Sequence, residues 1–189
     1  MAFVDVVVMA AGKGTRMKSS MPKVLHRLGG RALLQHVIDT AGQLQARRVV
    51  VITGHGAEQV EATLVHNDHV QCVRQMPQLG TGHAMQQAVP VLADDGVTLV
   101  LSGDVPLTEA DTLQALIAQC GGNQLALLTI RLPDPTGYGR VIVEGAKGQE
   151  RIVKMVEQKD ATDLEKAVKL SNSGLMAVKA ADLFALLAR

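Results

Sequence analysis

The stretch Val4–Leu25, VDVVVMAAGKGTRMKSSMPKVL, decides how the chain is read. Its first half is a continuous valine-rich run, as expected of a strand covered on both faces in a parallel sheet. The run gives way to Ala10, Ala11, Gly12 and Gly14, interleaved with Lys13, Arg16, Lys18 and, after a short gap, Lys23. Small residues let a ligand approach the backbone and expose its N–H groups. Clustered cations call for a dense negative partner. A solvated basic turn is the plainer alternative, but these cations crowd the carboxyl end of the first strand, where open α/β sheets bind ligands. The loop therefore reads as a phosphate site. It is not a Walker loop, because Met17 stands where the second glycine belongs. A dinucleotide loop fails at the same residue, and the second strand ends at Thr53–Gly54 without an acidic residue for a ribose.

Working outward, further apolar runs mark strands at Arg48–Thr53, Val97–Leu101 and Leu125–Ile130, with a weaker one at His69–Val73; the first run itself spans Phe3–Val8. Helical spacing appears in Leu33, Leu34, Val37, Ile38, Ala41 and Leu44, and again from Ala84 to Leu92, where Pro90 strains the helix end. Thr108 with Asp111 resembles a capping box opening a third helix. Alternation of strand and helix gives a Rossmann-like, doubly wound, mainly parallel α/β sheet. After Pro133 the texture changes, and Arg140–Glu144 and Arg151–Val156 flank a turn-rich segment as a small β-hairpin addition. The chain ends in AADLFALLAR, whose Leu183, Phe184, Leu186 and Leu187 need a surface to pack on. No stop signal follows, so residues 1–189 read as one domain, incomplete at its C-terminus.

Composition narrows the function classes. Of 189 residues 47% are hydrophobic, enough for a sizeable core, and 19 basic against 18 acidic residues leave no excess for a general nucleic-acid binder. Aromatics are confined to Phe3, Tyr138 and Phe184, so base-stacking platforms are lacking. No apolar run reaches the roughly 18 residues of a membrane span, and no signal peptide opens the chain. Cys72 and Cys120 are isolated, which suits the cytoplasm. The six histidines include no His-x-x-x-His pair.

The motif AAGKGTRM…PKVL resembles the signature of sugar-nucleotide pyrophosphorylases. Further stretches narrow the resemblance: QLGTGHA (78–84), GDVPL (103–107), DPTGYGR (134–140), VEQKDAT (156–162) and NSG (172–174). Together, and in this order, they are similar to the uridylyltransferase domain of the bifunctional N-acetylglucosamine-1-phosphate uridylyltransferase / glucosamine-1-phosphate N-acetyltransferase family. The resemblance implies a fold of the nucleotide-diphospho-sugar transferase type and Mg²⁺-dependent uridylyl transfer. UTP and N-acetylglucosamine 1-phosphate would give UDP-N-acetylglucosamine and pyrophosphate, for peptidoglycan and lipopolysaccharide precursors. It also implies an asparagine beyond position 189 as a second metal ligand, and a C-terminal β-helix domain through which the full protein forms a homotrimer.

Residue by residue, the resemblance makes Arg16 and Lys23 the catalytic cations. Arg16 can fork onto the leaving pyrophosphate and Lys23 bridges the α-phosphate and the sugar phosphate. Asp104 directly follows the strand VTLVLSG, and a carboxylate at a strand's carboxyl end suits Mg²⁺; an Asp capping a turn is its plainer reading. Base recognition falls to the backbone near Ala10, Ala11 and Gly12 with Gln75, Gly80 and Thr81, the glutamine amide matching the uracil imide edge, and Met9 joins the nucleotide- and sugar-binding set. Ser102 and Gly103 complete the nucleotide contacts, while Gly139, Glu157 and Asn172 are assigned the sugar. Ser102 departs from the family pattern, which has an aromatic there; NSG replaces the commoner Asn-Thr-Gly, and the 145–150 turn is longer than usual. Two alternatives stay open: another sugar-phosphate nucleotidyltransferase, and a nucleotide-sugar-binding module without turnover.

Overall fold

A computed structural model describes residues 3–14, 17–146 and 150–189. The elements run β1 (Val4–Ala10), β2 (Arg27–Leu28), β3 (Arg31–Ala32), α1 (Leu33–Gly42), β4 (Arg48–Thr53), α2 (Ala57–Ala62), β5 (Val70–Arg74) and α3 (Thr81–Ala88). They continue with β6 (Val97–Ser102), α4 (Ala110–Cys120), β7 (Ala126–Arg131), β8 (Arg140–Glu144), β9 (Arg151–Val156), α5 (Asp163–Lys166), β10 (Leu170–Lys179) and α6 (Ala180–Leu187). They form two compact units, Met1–Ala126 with Met176–Arg189, and Leu127–Leu175. No helix among the described residues is long and apolar enough to cross a membrane.

The first unit holds parallel strands in the order β5–β4–β1–β6, with Val7 level with both Val50 and Val100. Side chains alternate across a strand, yet Val6, Val7 and Val8 are all fully buried, so both faces of β1 are covered. One face is Val7, Val50, Ile52 and Val100 packed with Ala84, Met85 and Ala88 of α3 and Leu183 of α6. Helices α1 and α4 pack on β1 and β6 through Leu34 and Val37, and Leu113 and Leu116. Each fully buried valine contributes about 1.5–3 kcal/mol, which is why the valine runs dictate the centre of the sheet. At the amino end of β1, buried Asp5 accepts from Arg47 Nε at 2.9 Å and Nη2 at 2.8 Å.

The doubly wound, mainly parallel reading holds, with two corrections. The run 125–130 was expected to extend the parallel row; β7 instead pairs with β10, and the place beside β6 goes to the antiparallel residues Met176–Lys179. Ala177 and Val178 are buried, whereas most of β7 is only half-buried or exposed, so β7 lacks the covering a central strand needs. The Thr108–Asp111 capping box does not form. Helix α4 starts with Glu109 as its cap, and Thr108 Oγ1 turns back to the Val105 carbonyl at 3.5 Å. The last helix packs as its pattern implies, with Leu183 buried and Phe184 and Leu187 on the core, and Leu186 is left exposed. Pro90 does end α3 early, in a 3-10 turn at Val89–Val91.

In the second unit β8 and β9 pair antiparallel over the expected residues, with an irregularity at Ile142/Val143. Thr162 and Glu165 form the capping box that the sequence reading did not name, opening α5. Arg140 is buried; it donates to the Tyr138 carbonyl, to Gln158 Oε1 at 2.7 Å and to the Lys166 carbonyl at 3.4 Å.

Candidate active site

In an open α/β sheet the ligand crevice lies beyond the carboxyl ends of the strands, where the winding reverses. The chain moves outward from β1 through β4 to β5 and then crosses back to β6, so the reversal falls between β1 and β6. A cleft of about 520 Å³ opens there. Met9 and Ala10 line it from the end of β1 and Ala11 and Gly12 from the loop after it, Ser102 from the end of β6 and Asp104 from just beyond it, Gln75 and Gly80 from the segment joining β5 to α3, and Thr81 from the start of α3. Gly103 does not line it. Its N–H donates to the Met9 carbonyl at 2.9 Å, and an added Cβ would come within 3.2 Å of Leu34 and Val24, so it ties the two strand ends together.

Of the loop cations, Lys23 lines the cleft, while Lys13 and Lys18 are exposed and do not. Arg16 lies outside the described residues. Lys23 is brought in by the loop's shape. Gly14 has φ +58, and a Cβ there would sit 2.8 Å from that of Lys23, so glycine is required on both counts. Pro22 opens the short 3-10 turn Lys23–Leu25 that presents the lysine.

Lys23 forms an ion pair with Asp104 Oδ2, and Ser102 Oγ donates to Asp104 Oδ1 at 2.5 Å. Burial alone would raise the Asp104 carboxyl. The Lys23 ammonium and the Ser102 hydroxyl outweigh it and hold the group below its ordinary value, ionised at neutral pH. Ser102, where the family pattern has an aromatic, thus serves the carboxylate directly.

The other wall is a hydrogen-bonded corner. Gln75 is buried just after β5, and its backbone N–H donates to the Thr53 carbonyl at 2.8 Å. Its Nε2 donates to the Gly80 carbonyl at 2.9 Å and lies 3.2 Å from His83 Nδ1. Gly80 caps α3 at φ 102, a conformation that favours glycine, and Gln78 Nε2 donates to the Gln75 carbonyl at 3.1 Å. Gln78, Val24 and Ala84 also line the cleft and were not singled out from the sequence. Only the QLGTGHA motif signalled Gln78 and Ala84.

A metal would have to be held here without a protein cage, since no cluster of three His, Cys, Asp or Glu side chains occurs among the described residues. Mg²⁺ keeps phosphate and water oxygens and takes only one or two carboxylates. Asp104, ionised and facing the cleft, fits that role.

In the second unit Gly139, Glu157 and Asn172 come together. Asn172 N–H donates to the Gly139 carbonyl at 2.9 Å, and an added Cβ on Gly139 would stand 3.3 Å from Glu157 Oε1. Asn172 Oδ1 accepts from the Gly174 N–H at 2.8 Å. The 145–150 turn includes 147–149, outside the described residues.

Residues 6–164 match the model of the MobA-like NTP transferase domain. The chain is 62% identical over 180 residues to the bifunctional protein GlmU of Polaromonas naphthalenivorans (strain CJ2), covering 92% of this chain and 38% of that one. It is 61% identical over 192 residues to the bifunctional protein GlmU of Paracidovorax citrulli (strain AAC00-1), covering 100% of this chain and 40% of that one. The chain therefore spans about 40% of the length of the curated relatives it matches. Among solved structures, UDP-glucose pyrophosphorylase complexed with UDP-glucose has a TM-score of 0.80 at 17% identity, over 99% of this chain and 80% of that one. A putative glucose-1-phosphate thymidylyltransferase from Bacillus anthracis has a TM-score of 0.80 at 14% identity, over 96% of this chain and 73% of that one. At such identities these two establish the fold.

Proposed function

The chain belongs to the MobA-like NTP transferase domain family, and on that premise we propose that it transfers a uridylyl group from UTP to N-acetylglucosamine 1-phosphate. The products are UDP-N-acetylglucosamine and pyrophosphate. The observation that carries the reading is the pairing of Lys23 with an ionised Asp104 in the same cleft as the buried Gln75 amide. The homotrimer and cytoplasmic location implied by the sequence resemblance belong to the same proposal.

The chemistry is a displacement at phosphorus. A phosphate oxygen of the sugar phosphate forms a bond to the α-phosphorus of UTP as the bond to the pyrophosphate oxygen breaks. The obstacle is charge, because each like-charged pair at 4 Å costs on the order of 4 kcal/mol at an effective dielectric near 20. Positioning and cations answer it, with no covalent nucleophile. Lys23 orients the α-phosphate and the incoming phosphate. Arg16 is assigned the departing pyrophosphate. Gln75 presents its amide oxygen to the uracil N3–H, and the backbone of Ala10–Gly12 lets the nucleotide approach closely. Asp104 would hold Mg²⁺, which would supply charge neutralisation at the phosphates. Gly139, Glu157 and Asn172 are assigned the sugar.

The test is product formation from UTP, CTP, dTTP and GTP, each with N-acetylglucosamine 1-phosphate and with glucose 1-phosphate. UTP with N-acetylglucosamine 1-phosphate is expected to be turned over best, and Asp104→Asn to abolish turnover with the fold intact. A different preferred pair, or near-normal turnover by Asp104→Asn, would sink the substrate assignment or the metal assignment respectively.

A further inference from the structure

In the second unit Val156 of β9, Arg140 of β8 and Ser171 of β10 lie level across the three strands, and all three are buried. Neighbouring residues along a strand point to opposite faces. One step on stand Glu157, Gly139 and Asn172, a row that is half-buried or exposed and is the one assigned the sugar. The Arg140 guanidinium donates to the Tyr138 carbonyl, to Gln158 Oε1 at 2.7 Å and to the Lys166 carbonyl at 3.4 Å. Gln158 Oε1 also accepts from the Gly137 N–H at 3.4 Å. One guanidinium and one amide oxygen thus tie the segment that carries Gly139 to the segment that carries Glu157. The acceptors of Arg140 are all neutral, and its Nε is buried with no partner among the described residues. A buried charge set against neutral groups costs stability, and what it secures here is the separation of two loops.

We propose that Arg140 and Gln158 are positioning residues for the sugar: their hydrogen bond holds the Gly139 and Glu157 segments at the spacing that the sugar's hydroxyl groups require. The inference rests on the reading above that Gly139, Glu157 and Asn172 take the sugar. Arg140 belongs to the buried row, so it acts through the backbone and not by touching the ligand. An added Cβ on Gly139 would stand 3.3 Å from Glu157 Oε1, so a small shift of either segment closes or widens the gap that a hydroxyl would enter. The orientation of the Gln158 amide is fixed. The guanidinium and the Gly137 N–H can only donate, so the Gln158 atom between them is its oxygen. A carboxylate oxygen can take its place, and a methyl group cannot.

The test measures binding of UDP-N-acetylglucosamine and of UDP by calorimetry in wild type, Gln158→Ala, Gln158→Glu and Arg140→Lys. The difference between the two ligands reports the sugar contacts. Gln158→Ala should bind UDP-N-acetylglucosamine roughly tenfold more weakly and UDP as wild type does, and Gln158→Glu should keep the wild-type preference. A merely structural role would weaken both ligands alike. Arg140→Lys loses the fork and should match Gln158→Ala; should it fail to fold, the two Gln158 variants decide the matter alone. An unchanged preference in Gln158→Ala or in folded Arg140→Lys, an equal loss on both ligands, or a loss in Gln158→Glu as large as in Gln158→Ala overturns the inference alone. A wild-type protein that binds UDP-N-acetylglucosamine no more tightly than UDP overturns the sugar assignment and this inference with it.

Discussion

Replacing Lys23 with alanine should make the cleft bind a divalent cation better and work worse. Lys23 and Asp104 side chains are 40% and 20% exposed, so their pair lies between the surface and the interior. Exposed pairs are worth about 0–1 kcal/mol net, and breaking a buried one costs about 3–5 kcal/mol. A half-covered pair is then worth about 1–2 kcal/mol, which any cation approaching Asp104 must overcome to displace the ammonium. Removing the ammonium leaves the carboxylate with its Ser102 hydrogen bond and no competing charge. Affinity for Mn²⁺ in the absence of nucleotide should rise roughly 5- to 30-fold, since 1.4 kcal/mol is about tenfold. Turnover should fall, by roughly 10³-fold if Lys23 is as well aimed as an arginine finger. Mn²⁺ titration followed by electron paramagnetic resonance measures the first effect, with Asp104→Asn as the non-binding control. If Lys23→Ala binds Mn²⁺ no better than wild type, Lys23 and the metal do not share Asp104.

Two further outcomes concern stability. Arg47→Ala strands the buried Asp5 carboxylate, which otherwise takes two bonds from that guanidinium, and should lower stability by about 3–5 kcal/mol, read as a fall in the urea midpoint; an unmoved midpoint overturns it. Glu61 accepts from Arg74 at 2.9 and 2.6 Å and from Thr53 at 2.7 Å, and Arg74 first, against burial and with Thr53, holds its carboxyl below the usual value. Its stabilisation is therefore fully present above the unfolded pKa of about 4.3 and is lost as pH falls through the lower folded value. Glu61→Gln should be less stable than wild type at pH 7 and converge with it in strong acid; a gap that persists there would show that charge is not the cause.

The parallel centre of the sheet was legible because burial on both faces leaves a local trace, a run such as Val6–Val8 with no polar break. The strand after α4 was placed wrongly because its run is also apolar. What distinguishes it is the competition for the site beside β6, won by Met176–Lys179 from 50 residues later in the chain. The false capping box fails for a related reason. Thr108 and Asp111 have the right spacing, but the motif works only if the helix starts at Thr108, and the Val105 carbonyl draws that hydroxyl back into the preceding turn. Asp5 and Arg47 gave no sign of each other, because an ion pair between residues 42 apart in sequence has no local signature.

The candidate site shows the same limit at finer scale. Charge density marked the loop as cationic but could not rank its cations, since Lys13, Lys18 and Lys23 are identical side chains. The ranking comes from backbone geometry: the missing Cβ of Gly14 makes room for the stem of Lys23, and Asp104, more than 80 residues on, supplies the partner that holds its head in the cleft. Gln75 likewise showed its chemistry in the sequence, an amide able to donate and accept. Which of the two it offers a ligand is decided by Gly80, whose carbonyl engages its nitrogen. Residue type thus set what the cleft can recognise, and long-range packing set which half of that capacity remains available.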